Sequence, residues 1–446
     1  MGPLIGRRQL GAGLLGAGLL GAGLPRLARA GGRIPLGGKL RFRVPWGIHA
    51  IDPHRLDDAI AGFFGEALFD RLYARRADAT IVPALAESAP EPDGANLRVN
   101  LRQGLRTAEG HPFDVSDAAW SIARARALGA RGWLAEVPTP REDAGALVFA
   151  MKDAPQLMRT LASPLLAMVK KGFSPEAPDG TGPMRMRRTD DGIVLSSNPL
   201  AALGRSFLDE IAIRAASNVT ESLLAFEAGT DDIGWLERGL HAPRPGSLAF
   251  DFGAIGWIVL STGKEAGTWD APGVAQSLAD GIAFDRLASF HLGAPWPASP
   301  SEGWGGPPVP LLVRDDSPWL IDLAGAVAAS LTRPSHEVTV RPIRPAALAA
   351  RRATRDLGLA LDVVRSVGPG ALASMVSLVT SDSPDRAEQV MKHAPRLGEV
   401  PARTLTRTLR TGVLGELRVM GGRMPNVVLA GSSDGTGLEL GASYRL

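Results

Sequence analysis

His49, Asp52, His54, Asp57 and Asp58 fall within ten residues of one another, and imidazoles and carboxylates at that density are the raw material of a divalent-metal site. Their spacing argues against one. They do not share a face of a helix or of a strand, and Asp52–Pro53 begins a turn. A polar loop at the rim of a cleft is the better reading, with no metal. A second pattern, Gly431–Ser432–Ser433–Asp434–Gly435, matches the Gly-x-Ser-x-Gly elbow of serine hydrolases. That elbow needs a helix behind it and a histidine later in the chain. Here Thr436–Leu446 reads as a strand and the last histidine is His393, so a turn between two strands is expected. With no cysteine either, no catalytic constellation is left and no cofactor is implied. Nine tryptophans against two tyrosines are the remaining chemical feature. Buried tryptophan is most often core, but it also serves in the apolar, aromatic walls of small-molecule clefts.

The N-terminus reads as an export leader. Gly6–Arg7–Arg8–Gln9–Leu10 looks like a twin-arginine motif, an apolar Gly/Ala/Leu run follows to Leu24, and Ala28–Arg29–Ala30 has the small-x-small form of a cleavage site. The run is too short and too rich in glycine to span a bilayer. Its Gly-Ala-Gly repeats also mimic a nucleotide loop, without the preceding strand or the following acid. Residues 1–30 hold four basic side chains and no acidic one; without them, the 49 basic and 46 acidic residues become 45 and 46, a net charge of −1. The basicity therefore belongs to the leader, and neither a nucleic acid nor an anionic membrane is expected as a partner. Lipidation at a new N-terminus needs a cysteine, so a freely diffusing periplasmic protein is expected, most simply a monomer.

The remaining chain of about 416 residues is long enough for two or three domains. Gly38–Val44 alternates as a strand, and Ala59–Tyr73 has helical period. Ala95–Arg102 alternates again, after a turn at Pro92–Asp93–Gly94. Ser116 is a candidate N-cap for a helix starting near Asp117. Met186–Ser197 and Leu208–Arg214 read as strands, and Ser222–Ala228 as a helix ended by Gly229. Farther on, Trp257–Ser261 reads as a strand and Ala275–Arg286 as a helix. Strand Val309–Val313, helix Ile321–Leu331 and strand Glu337–Arg341 form a βαβ unit suited to a second lobe.

The stretch Ile81–Arg126 carries Pro-Ala-Leu-Ala-Glu-Ser, an Asp-Gly turn, Leu-Arg-x-Gly-Leu, Glu-Gly-x-Pro-Phe and Asp-Val-x-Asp-Ala in that order. It resembles the signature of the family 5 extracellular solute-binding proteins, the dipeptide-, oligopeptide- and nickel-binding components of ATP-binding-cassette importers. Gly180–Thr181–Gly182–Pro183 and Asn198–Pro199 continue the likeness, which fades after Arg344. The resemblance implies an α/β, type II periplasmic-binding-protein fold of two lobes with a hinged cleft and the extra subdomain of peptide-binding members. Lobe I would comprise 31–66, 180–255 and 405–446, the subdomain 67–179, and lobe II 256–404. It implies a periplasmic binding protein that closes on a small solute, a peptide or peptide-like compound, and delivers it to membrane permease subunits. An exported scaffold or sensor with the same fold is the alternative, because the family's Asn after Leu260 and the early arginine of the next helix are missing. In the family, loops after the first strand and near the hinge line the cleft. That puts Trp46, Gly47 and His49 forward as ligand contacts, with Trp257 and Trp269. Peptide-binding relatives carry an acidic anchor for the ligand amine in the stretch matching Asp362–Gly370; here it is absent, and Arg365 is a candidate for facing an anionic group.

Overall fold

The structure is a computed structural model that describes residues 34–44, 47–235, 246–283, 286–287, 290, 292, 303–397, 402–432 and 437–446. The leader and its cleavage site lie outside these residues. Leu40, Phe42 and Val44 alternate with polar neighbours, and in the strand Lys39–Val44 they are the buried face. This strand pairs in parallel with Glu210–Ala215. Both belong to a ten-stranded mixed sheet that unites sequence-distant pieces.

Two long antiparallel strands, Leu248–Thr262 and Thr411–Arg423, occupy the middle of that sheet. At one end Gly421–Arg423 pairs with Ile233–Trp235, which joins Lys39–Val44, Glu210–Ala215 and the hairpin Met184–Thr189/Gly192–Ser197. Toward the other end Gly256–Thr262 pairs with Leu359–Arg365, followed by Val309–Arg314 and Val338–Ile343. The register between the two long strands slips at Asp251/Ala254 and again at Ala254/Gly256. Bulges of this kind bend and twist a ladder locally.

Helices complete the cores. Asp58 caps Ala59–Leu68, which is apolar on nearly every side because it is buried on nearly every side. It stops at Leu68 rather than running to Tyr73: Phe69 is extended, and Tyr73–Arg75 pairs with Ile81–Pro83. Asp114, not Ser116, caps the helix Val115–Ala127, through a capping box with Asp117. The expected single strand Met186–Ser197 is a hairpin turning at Asp190–Asp191. The helix expected over Ala275–Arg286 is Val274–Asp280. Glycine is required where Gly182 passes the end of the first helix, since a Cβ there would lie 2.5 Å from the Leu68 carbonyl carbon.

A second apolar core gathers residues between Leu72 and Met168, around Leu97, Val99, Phe113, Ile122 and Phe149. It also contains Val367, Ala373 and Val376, the last two from the helix Ala371–Asp382. A third core packs Trp257, Val259 and Val364 under the same helix.

Candidate functional site

The loop from Gly47 to Asp58 is built on carboxylates that bond to its own backbone. Asp58 accepts from Ala61 N at 2.8 Å and from Asp52 N at 2.6 Å, and so fixes both the helix start and the turn before it. Asp52 accepts from His54 N and takes both terminal nitrogens of Arg124, at 2.8 and 2.6 Å. His54 is buried; its Nε2 donates to Ala167 O at 2.8 Å and its Nδ1 accepts from Arg124 Nη1 at 2.9 Å. Burial pushes this imidazole down to about 4, so it is neutral at pH 7. With both ring nitrogens taken, His54 has no lone pair for a metal. Among the described residues no three His, Asp or Glu side chains are grouped to hold one.

Five cations pair with five carboxylates around this loop. Arg124 holds Asp52, Arg55 holds Asp57, Arg71 holds Glu66, Arg314 holds Asp316 and Arg352 holds Asp362. Asp58 and Arg365 stand outside these five pairs. Both are buried, and neither forms an ion pair among the described residues. Burial pushes Asp58 up to about 6, even though two backbone N–H groups favour its charged form. Arg365 cannot lose its charge in that way. Its Nη1 donates to Pro53 O at 3.1 Å and Arg55 O at 3.3 Å, while its backbone N donates to Leu56 O at 2.7 Å.

Arg365 lines an internal cavity of about 20 Å³, room for about one water molecule. Gly62, Gly65 and Glu66 of the first helix form one wall, Ile255 of the long strand another, and Pro164 and Ala167 a third. Phe69 and Arg71 close it. Glu66 is oriented by Arg71 at 2.5 Å and by Ser432 Oγ at 2.8 Å. Three segments far apart in sequence thus bring one apolar surface, one ion pair and one unpaired guanidinium to a point. A larger open hollow of about 610 Å³ lies on the outer side of the loop, between His49 and Asp57 on one side and Arg314 and Arg344 on the other.

Of the residues singled out from sequence, Arg365 alone lines the internal cavity. Gly47 lies where a Cβ would come 1.9 Å from Asp316 O, a place for close backbone approach. His49 is exposed at the outer hollow. Trp257, 7% exposed, packs in the third core beside Val364 and Met375. Trp269 tilts against Trp304 at 5.0 Å. Trp46 lies outside the described residues, as do Ser433–Gly435 of the elbow-like motif. Sequence reading passed over Gly62, Gly65 and Glu66, although a signal was there. Two glycines and an acid at helical spacing inside an otherwise apolar helix weaken it without any capping role.

Comparison with known proteins adds a family match over part of the chain and a fold. Residues 80–239 match the family model described as bacterial extracellular solute-binding proteins, family 5 Middle. No curated protein sequence matches the chain. Among solved structures, the oligopeptide-binding protein AppA from Bacillus subtilis, in complex with a nonapeptide, superposes with a TM-score of 0.66 at 14% identity, covering 93% of this chain and 100% of that one. NikA from Staphylococcus aureus, in complex with Ni(L-His)2, gives 0.65 at 13% identity over 92% and 100%. AgaA in complex with agropinic acid, from A. tumefacien R10, gives 0.67 at 17% over 92% and 99%. At these identities the likeness is one of fold: a two-lobed binding protein of the peptide-binding type.

Proposed function

We propose that the protein, whose residues 80–239 match the family 5 extracellular solute-binding proteins, captures a small solute in the Arg365 cavity and delivers it to the permease of an ATP-binding-cassette importer. The observation that carries this reading is the cavity's construction. Its walls come from the first helix, from Pro164 and Ala167, from Ile255 of the long strand and from Arg365 at the end of Leu359–Arg365, and the register of Leu248–Thr262 against Thr411–Arg423 slips beside Ile255. Bending at those slips parts the walls, and a ligand touching both sides favours closure by its extra contacts. On this reading 31–66, 180–255 and 405–446 form one lobe, 67–179 its subdomain and 256–404 the other lobe. The solute is a peptide or peptide-like compound small enough for a site that closes to so little space. The twin-arginine leader takes the protein to the periplasm, where it works as a monomer without a lipid anchor.

Native mass spectrometry of protein purified from its own periplasm tests the reading. A bound solute that raises the melting temperature and alters tryptophan emission supports it. If nothing co-purifies and no peptide shifts the melt, solute capture is wrong. The cavity's small volume and its own Glu66–Arg71 pair favour one second reading, a sensor or scaffold that keeps the fold without transport. Loss of import of the bound solute on deleting the protein separates the two.

A further inference from the structure

We propose that the internal cavity recognises its solute through a carboxylate that pairs with Arg365; the proposal rests on the solute-binding reading and specifies its chemistry. Five arginines around the Gly47–Asp58 loop pair with five carboxylates, whereas Asp58 and Arg365, both buried, form no ion pair among the described residues. Asp58 accepts from the backbone N–H groups of Asp52 and Ala61 and acts on the guanidinium only from beyond ion-pair distance. Arg365 uses Nη1 on two carbonyls; its Nε and Nη2 take no acceptor among the described residues. Neither atom is among the sealed polar atoms without a partner, so both reach open space. Nε passes over Gly62, where an added Cβ would stand 3.1 Å away. A buried guanidinium without an anion is costly, and its two parallel N–H groups match the two oxygens of a carboxylate. Phe69, Ile255 and Pro164 give the cavity an apolar lining; closed, it has room for about one water, so the solute's body enters only as the walls part.

Two sources of carboxylate are compared, each against its uncharged amide: propionate with propionamide, and Ala-Ala with Ala-Ala-amide. Calorimetric titration of the full-length secreted protein should show at least one acid bound on the order of tenfold or more tighter than its amide. In Arg365→Gln that preference should shrink to about threefold or less. Propionate winning points to a free monocarboxylate and Ala-Ala to a peptide C-terminus. Because Arg365→Gln also loses the Pro53 and Arg55 carbonyl contacts, Gly65→Leu serves as a second variant. It fills the cavity from a position where a Cβ meets nothing within 4 Å, and should abolish binding of both acids. Amides binding as tightly as acids, a preference that survives Arg365→Gln, or acid binding unaffected by Gly65→Leu each overturns the proposal. A neutral or cationic solute carried from the cell and retained by Arg365→Gln overturns it while solute capture stands. Protein that carries no solute of any class and binds none of the four compounds overturns both.

Discussion

Arg124 and Asp52 are 72 residues apart in sequence, yet face each other through two hydrogen bonds of 2.8 and 2.6 Å. The same guanidinium donates to His54 Nδ1 and stacks 5.1 Å above the Phe173 ring centroid. One side chain on the helix Val115–Ala127 thereby holds the loop that bears the candidate site. Arg124→Leu leaves a buried carboxylate without its cation, and should cost about 3–5 kcal/mol in urea unfolding. Arg124→Lys keeps the charge but not the fork, and should recover only part of that. A loss below about 1 kcal/mol for the leucine variant would rank the contact with ordinary surface pairs.

Asp58 and His54 impose opposite pH dependences. Asp58 rises from an ordinary 3.8 to about 6 in the fold, so its protonated form stabilises the protein at low pH, and that contribution is lost as pH rises through about 6. His54 falls from 6.5 to about 4, so its contribution is present above 6.5 and lost as pH falls toward 4. Asp58→Asn removes the first effect only. The stability difference, wild type minus variant, should therefore fall by on the order of 3 kcal/mol between pH 4 and pH 7. Chemical denaturation across that range checks it; a pH-independent difference would show that Asp58 titrates normally.

Gly62 and Gly65 should respond differently to alanine. A Cβ at Gly65 meets nothing within 4 Å, so Gly65→Ala should raise stability by about 0.5–1 kcal/mol through better helix propensity. At Gly62 the Cβ would press on Arg365 Nε at 3.1 Å, and most of that gain should disappear. Melting temperatures of the two variants side by side provide the comparison.

Trp257 separates packing from recognition. Its place in the third core predicts that Trp257→Ala lowers unfolding free energy by about 3–5 kcal/mol. Affinity for any solute the protein retains should stay within about threefold. A selective loss of affinity at unchanged stability would put the indole at the ligand instead.

Local chemistry alone determined much of this protein. Alternation marked Gly38–Val44 and Ala95–Arg102 as strands and Ile321–Leu331 read as a helix, and the elements formed are Lys39–Val44, Asn96–Asn100 and Pro318–Leu331. The Gly-Thr-Gly-Pro and Asn-Pro segments were legible through the family resemblance, and the structure gives each a backbone role: Gly182 passes against Leu68, and Asn198 Nδ2 bonds back to Gly182 O at 2.8 Å. Where two elements of similar pattern abut, the boundary was not legible. The hairpin at Asp190–Asp191 and the stop of the first helix at Leu68 depend on partners elsewhere in the chain.

Tertiary structure alone decided which of these residues line the cavity. Trp257 and Arg365 were both put forward as ligand contacts, and with Leu248–Thr262 paired to Leu359–Arg365 the first lies in a core and the second at the cavity wall. The density of His and Asp between 49 and 58 suggested metal chemistry, yet which carboxylate goes with which arginine depends on contacts across the fold. Pairing of charges is a property of distance, and sequence spacing carries no distance between segments 72 or 312 residues apart.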